Sequence, residues 1–185
     1  VNDLPVNAGL RGDTGAYTEG GAATLLGSAT GITDVDSSDF NTGTLTVSFT
    51  SGGDSAEDVL AIRNEGLGAG QIGVSGANVT YAGVTIGTWA GGTAGANLVI
   101  TLNANSSTTS AMALINNLTY LNTDNDNPTT TTRNIRVVLT DGDGGTSANN
   151  DTTMTVTAAN DAPTLASLAG DALAYAEGDG TVIIE

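Results

Sequence analysis

The chain contains its own beginning twice. Val-Asn-Asp-Leu-Pro at 1–5 returns as Ala-Asn-Asp-Ala-Pro at 159–163, and Tyr17-Thr18-Glu19-Gly20 returns as Tyr175-Ala176-Glu177-Gly178, both at an offset of 158 residues. Aligned without a gap, residues 1–27 and 159–185 are identical at 11 of 27 positions, where composition alone would give roughly two. Self-similarity at a fixed period is the mark of a tandem array. The expected organisation is therefore one repeat over 1–161, with a period of 158 residues, followed at 162–185 by the first strand of the next. The chain opens at Val1 without a signal-peptide pattern, as if cut from something longer.

Within the repeat, short alternating segments recur with turn residues between them. Thr44–Thr50 puts Leu45, Val47 and Phe49 on one face, and Val59–Arg63 does the same with Leu60 and Ile62. Val79 and Tyr81, then Val84 and Ile86, flank a turn at Ala82-Gly83. Leu98, Ile100 and Leu102 share a face, as do Ile135, Val137 and Leu139, and Thr153–Thr157 supplies a last strand. One segment differs: Ala111, Leu114, Ile115 and Leu118 have the spacing of a short amphipathic helix, with Ser110 as its expected cap. Many short strands and one short helix predict an all-β protein, a β-sandwich.

Charge excludes much of enzymology. Twenty acidic residues face four arginines (Arg11, Arg63, Arg133 and Arg136), a net charge of −16, and the chain has no Lys, His or Cys. A Ser-His-Asp or Cys-His site cannot be assembled. Zinc, haem and iron–sulfur ligation by His or Cys, and Schiff-base chemistry, go with it. So negative a surface repels nucleic-acid phosphates and anionic headgroups, so neither nucleic acid nor a membrane is an expected partner. No run of about 18 apolar residues is present. What a field of carboxylates attracts is a hard divalent cation.

The acids gather between the strands: Asp34-Val35-Asp36 with Asp39, Asp54 with Glu57 and Asp58, Asp124-Asn125-Asp126, Asp141-Gly142-Asp143, and Asn160-Asp161. An Asp-x-Asp loop holds two carboxylates on one side, and their repulsion is relieved by a cation between them. Asp and Asn also make turns and keep a surface soluble. An EF-hand is excluded, because Asp34–Asp39 lacks an acid at the fifth loop position and a glycine at the sixth.

Asn160-Asp161-Ala162-Pro163 follows an alternating strand, with Leu139-Thr140-Asp141-Gly142-Asp143-Gly144-Gly145 some twenty residues before it. Together they resemble the end of a cadherin repeat. The ordered set from Thr33-Asp34-Val35-Asp36 through Leu118-Thr119-Tyr120 and Asn127-Pro128 to Asn160-Asp161 resembles the cadherin-like repeats of giant bacterial surface and adhesin proteins. The resemblance spans essentially all of 1–161. It implies an immunoglobulin-like Greek-key β-sandwich that binds calcium (Ca2+) between successive domains. On this resemblance Asp34, Asp36 and Asp141, with Asp143 beside it, lie at one pole near Asn2 and Asp3. Glu19 lies at the other, near Asn160 and Asp161, with Asp124 or Asp126 in the place of a mid-domain acidic motif. Two positions depart from the pattern: Ala158 stands where the linker's first acid belongs, and Ala162 where Asn belongs. Both remove ligands and imply fewer ions or weaker sites. The repeat is also long, which places extra strands between Gly66 and Asn105.

The expected role is a non-catalytic, calcium-stabilised spacer or adhesion repeat of an extracellular surface protein or fibre. Its partners would be neighbouring repeats or copies of itself, docking head-to-tail through 162–185. The alternative is a carbohydrate- or surface-ligand-binding module on the same sandwich. Paired carboxylates also suit a glycosidase, but Trp89 and a few tyrosines are a poor supply of sugar-stacking aromatics, and Trp89 reads as a packing residue. Sequons occur at Asn78, Asn105, Asn117 and Asn150, with Asn117 falling on the expected helix.

Overall fold

In chain order the strands are β1 (Val6–Ala8), β2 (Thr14–Thr18), β3 (Thr24–Leu25), β4 (Gly31–Thr33), β5 (Thr44–Ser51), β6 (Asp58–Ile62), β7 (Ile72–Ser75), β8 (Asn78–Tyr81), β9 (Val84–Ala90) and β10 (Leu98–Leu102). A helix α1 (Thr108–Ile115) follows, then β11 (Leu118–Asn122), β12 (Arg133–Leu139) and β13 (Asn150–Thr157). The computed structural model describes residues 2–10, 12–163, 176–178 and 180. The expected first strand of a following repeat, over 162–185, lies largely outside them.

These strands build an eight-stranded sheet in the order β2-β13-β12-β5-β10-β9-β8-β7, a three-stranded sheet β3-β11-β6, and a small β1-β4 pair. The chain crosses between the two larger sheets repeatedly. It leaves β2 for β3, returns to β5, crosses to β6, comes back for β7 to β10, and passes through α1 to β11 between β3 and β6. All ladders are antiparallel except β13 with β2, which runs parallel from Thr153 opposite Thr14 to Thr157 opposite Thr18. The molecule is thus an all-β sandwich with one short helix. The extra strands expected between Gly66 and Asn105 are β7 to β10, which widen the large sheet beyond β5. Ala82 and Gly83 both take positive φ, 50° and 80°, as the tight turn between β8 and β9 requires.

Two-residue periodicity is honoured where it was clearest. Leu45, Val47, Leu98, Ile100, Ile135, Val137, Leu139 and Met154 are all fully buried on the large sheet, against Leu60, Leu118 and Tyr120 of the small one. Ala111, Leu114 and Ile115 of α1 join the same core. Aromatic packing centres on Tyr120, whose ring meets Tyr17 edge-on at 5.6 Å and Phe49 at 6.3 Å. The helix cap is one turn earlier than expected. Ser107, not Ser110, is the N-cap, and Ser110 is the third helical residue of a reciprocal capping box. The serine spacing allows both readings, and the box wins because it satisfies two helix-end donors at once. Asn117 lies just beyond the helix, buried, giving its amide to Glu65 and the Ala113 carbonyl and accepting from Arg63 Nε at 2.7 Å.

The outer strand β7 of the large sheet is covered. Along β7 the backbone groups of Ile72 and Val74 are met by the 64–66 segment. Asn64 pairs with both the N–H and the carbonyl of Val74, while Glu65 accepts from Ile72 N and gives its own N–H to Ile72 O. Side chains there close an edge that would otherwise invite a further strand.

Candidate functional site

The acidic loops separate into two poles and a buried cluster. At the first pole the turn after β4 and the turn after β12 meet the segment leading into β1. Asn2 Nδ2 donates to Asp141 Oδ2 at 2.9 Å, and the Asp3 N–H is shared between both oxygens of Asp36 at 3.1 Å. Asp141 Oδ1 accepts from the N–H groups of Asp143 and Gly145 at 2.8 and 2.9 Å. Asp34 Oδ1 caps its own turn by accepting from Ser37 N at 3.2 Å. Its other oxygen, Oδ2, is buried and has no partner.

The electrostatics of this pole are uneven. Burial, followed by the nearby Asp36 and Asp141 carboxylates, pushes Asp34 above the ordinary carboxylate range, although backbone N–H groups of Ser37 and Asp36 pull against it. Burial also acts to raise Asp141, but the Asn2 amide and the N–H groups of Gly145, Asp143 and Gly144 outweigh it and hold Asp141 below that range. The turn is built for this: a Cβ at Gly145 would come within 2.0 Å of Asp141 Oδ2 and 2.8 Å of Asn2 Nδ2. The structure therefore brings together Asn2, Asp3, Asp34, Asp36 and Asp141, with Asp143 contributing its N–H.

At the second pole Glu19 follows β2, only 8% exposed. Its Oε2 accepts from Ala159 N at 2.7 Å, while its buried Oε1 has no partner. That contact fixes the start of the Asn160-Asp161 linker beside Glu19. Asp124 Oδ1 accepts from Asp126 N and Asn127 N at 3.0 and 3.1 Å, a compact turn in the loop after β11. No hydrogen bond joins the Asp124 or Asp126 carboxylates to Glu19 or Asp161 among the described residues. Nor do three acidic side chains anywhere among the described residues, the first pole included, already converge as a ready-made metal cage.

The third acidic group, Asp54 with Glu57 and Asp58, does something the sequence reading missed. Glu57 and Asp58 are buried and bind Arg133, whose side chain is fully buried. Arg133 Nε and Nη2 reach Asp58, Nη2 also reaches Glu57 at 2.8 Å, and Nη1 donates to the carbonyls of Thr129 and Thr131. Tyr120 Oη donates to Asp58 Oδ1 at 2.5 Å, and Asn122 Nδ2 donates to the same oxygen at 3.2 Å. Burial, then the hydrogen bond to Asp58, pushes the Tyr120 phenol far up. The signal was present: Arg133 has the same strand parity as Ile135, Val137 and Leu139, and Asp58 the same as Leu60 and Ile62. Opposite charges thus sit on the inward faces of strands from opposite sheets.

Arg63 pairs with Glu65, and Arg136 with Asp151. Each of the three described arginines is therefore committed to a carboxylate away from the poles. Trp89 is partly buried and donates its indole N–H to the Gly76 carbonyl at 3.0 Å, as a packing residue does. A cavity of about 250 Å³ lies beside the glycine-rich loop, lined by Phe49, Gly53, Asp54, Ser55 and Gly95.

No protein-family model matches the chain, and neither the curated proteins nor the solved structures provide a match. No helix among the described residues is long and apolar enough to cross a membrane.

Proposed function

We propose that this chain is a calcium-stabilised spacer or adhesion repeat of an extracellular tandem-repeat surface protein or fibre, without catalytic activity. The observation that carries the reading is the first pole. Asp34 is pushed up by burial first and then by the neighbouring Asp36 and Asp141, one Asp34 oxygen is buried without a partner, and the described arginines are engaged elsewhere. Carboxylate and amide oxygens at a strand-end turn are the donors a hard cation takes. In the absence of an ion, the Asn2 amide and the Asp3 N–H supply the positive partial charge. Asn2, Asp3, Asp34, Asp36 and Asp141 would hold calcium at this pole, and Glu19 with the 159–161 linker would present oxygens to the next repeat. The partners are neighbouring repeats or further copies of the chain.

Extracellular modules bind calcium at about 10⁻⁴–10⁻³ M. At about 10 mM calcium, one such site adds about 1–3 kcal/mol to stability, or about 2–4 °C of Tm per kcal/mol in a chain of this size. The test is a thermal melt in chelator and in calcium, with magnesium as a control. A Tm that rises with calcium and returns on chelation supports the reading; identical curves overturn it.

A further inference from the structure

Five large apolar side chains are exposed among the described residues, and three of them stand together: Leu4 at 60%, Val6 at 57% and Val35 at 86%. They share the outer face of the β1-β4 ribbon and its continuation toward the first pole. The ladder sets Val6 opposite Thr33 and Asn7 opposite Ile32. Exposure alternates along both chains: Leu4, Val6 and Val35 are open to solvent, while Pro5, Asn7, Ile32 and Asp34 are buried or half-buried. Carried two residues further, the register puts Leu4 opposite Val35, and the Asp3 N–H on Asp36 keeps the two chains side by side there.

The inner face of this ribbon is the polar one. Both amide atoms of Asn7 and Oδ2 of Asp34 are buried there without a partner. A ribbon with one face in water normally turns its apolar positions inward. The ribbon itself does not demand the reversal: at the offset of 158, Leu4, Val6 and Asn7 align with Ala162, Thr164 and Leu165 of the following repeat. The outward leucine and valines are therefore a property of this repeat, and contiguous exposed apolar side chains mark a contact surface.

The chain path sets what lies within reach of that surface. The chain enters at the first pole through Asn2 and Asp3 and leaves at the second, where Glu19 holds Ala159 N. Ala159 aligns with Val1. In an array, the residue equivalent to Leu4 thus follows the one held by Glu19 by three positions, a span of at most about 11 Å. The surface that close is the second pole of the repeat ahead. Beside Glu19 that pole presents Gly20-Gly21-Ala22-Ala23, exposed, uncharged and without bulk.

We propose that the outer face of the β1-β4 ribbon, led by Leu4 and Val35, is an apolar docking surface for the second pole of the preceding repeat, closing over its 20–23 turn. This rests on the tandem-repeat reading above and not on its cation. The contact is small, and it holds because a short linker keeps the two surfaces at an effective concentration of about millimolar order.

The test compares the full chain with the same chain carrying a copy of residues 1–158 ahead of Val1, both in chelator. Methyl NMR with a soluble paramagnetic agent reads exposure. In the single chain the methyls of Leu4, Val6 and Val35 relax as strongly as those of Leu67 and Val84, which are exposed elsewhere. In the two-repeat chain the Leu4 and Val35 methyls of the second repeat are shielded at least threefold, those of Leu67 and Val84 do not change, and backbone relaxation shows both repeats tumbling as one body. Leu4→Ala with Val6→Thr, the pair the following repeat carries, together with Val35→Thr in the second repeat, frees the two to tumble separately. Equal methyl exposure in the one- and two-repeat chains overturns the proposal. So do methyls already shielded in the dilute single chain, and joint tumbling that survives the triple change. Locking that appears only with calcium overturns the docking and keeps the cation reading, whereas shielding in chelator with no response to calcium does the reverse.

Discussion

The Arg133 cluster and the first acidic pole are made from the same residue types and solve opposite problems. In the cluster, Glu57 and Asp58 are buried around a guanidinium that the chain supplies itself, and every N–H of Arg133 finds an oxygen. At the pole, Asp34, Asp36 and Asp141 crowd one another with only an amide and backbone N–H groups as donors. An internal cation makes a carboxylate pair a permanent part of the core. Without one, a similar density of acid is left to an amide and backbone N–H groups, and the role proposed for the pole is to take a charge from outside.

Removing the internal cation is the harshest way to break that comparison. Arg133→Met keeps much of the side chain's length but strands Glu57 and Asp58 inside the protein. Breaking one side of a buried ion pair costs about 3–5 kcal/mol, measured by urea unfolding in chelator. A loss below about 1 kcal/mol would mean that the cluster is hydrated and behaves as a surface pair. The triple change Arg133→Met with Glu57→Gln and Asp58→Asn should recover part of the loss, since no bare charge remains. Calcium should not rescue Arg133→Met, because the stranded carboxylates lie in the core rather than at a pole.

A medium effect is expected at the pole itself. Asp36→Ala and Asp141→Ala should each lower calcium affinity while leaving the calcium-free chain folded, with Asp141→Ala the more costly to stability. Asp141 accepts three hydrogen bonds that order its turn, whereas Asp36 accepts the single Asp3 N–H. Calorimetry with calcium, beside unfolding in chelator, separates the two effects. Unchanged affinity in both variants would remove this pole from the calcium reading.

How far the fold was legible follows from the same contrast. Strands such as β5, β10 and β12 announce themselves because one face is apolar and the other is threonine or asparagine, so periodicity alone orients them. The Asp-x-Asp segments announce themselves as turns, because Asp and Asn make turns whether or not a cation follows. The Arg133 cluster was hidden by a habit of reading charge as surface: the parity of Arg133 and Asp58 pointed inward, but a polar residue on an apolar face looks like a strand end. Asn122 was less accessible still. Its amide reaches Asp58, 64 residues away in sequence, and its backbone carbonyl takes the Tyr17 hydroxyl from 105 residues away, and no local pattern encodes such a junction. The helix cap was misplaced by one turn because Ser107 and Ser110 are chemically identical, and only the backbone decides which leads.

The smallest expected effect is also the sharpest, because it changes sign. Asp34 is raised by burial and by Asp36 and Asp141. A carboxylate with a raised pKa in the folded state favours folding while it is protonated. Its contribution is lost as pH rises from the ordinary carboxylate value through the raised one. Asp141 is lowered, so its contribution is present above the ordinary value and is lost as pH falls through the lowered one. At neutral pH in chelator, Asp34 is therefore a charged group held where its charge is unwelcome. Asp34→Asn keeps an oxygen for the Ser37 N–H and removes that charge. It should stabilise the chain by a few tenths of a kcal/mol, about the size of an ordinary surface change, and the advantage should shrink as pH falls toward the carboxylate range. In calcium the order should invert: the wild type gains the ion's binding energy through a full carboxylate, and the variant gains less. Melting both proteins at neutral pH, in chelator and in about 10 mM calcium, reads the crossing directly. Parallel curves, with the variant above the wild type in both buffers, would leave Asp34 as a mildly strained turn residue with no cation to serve.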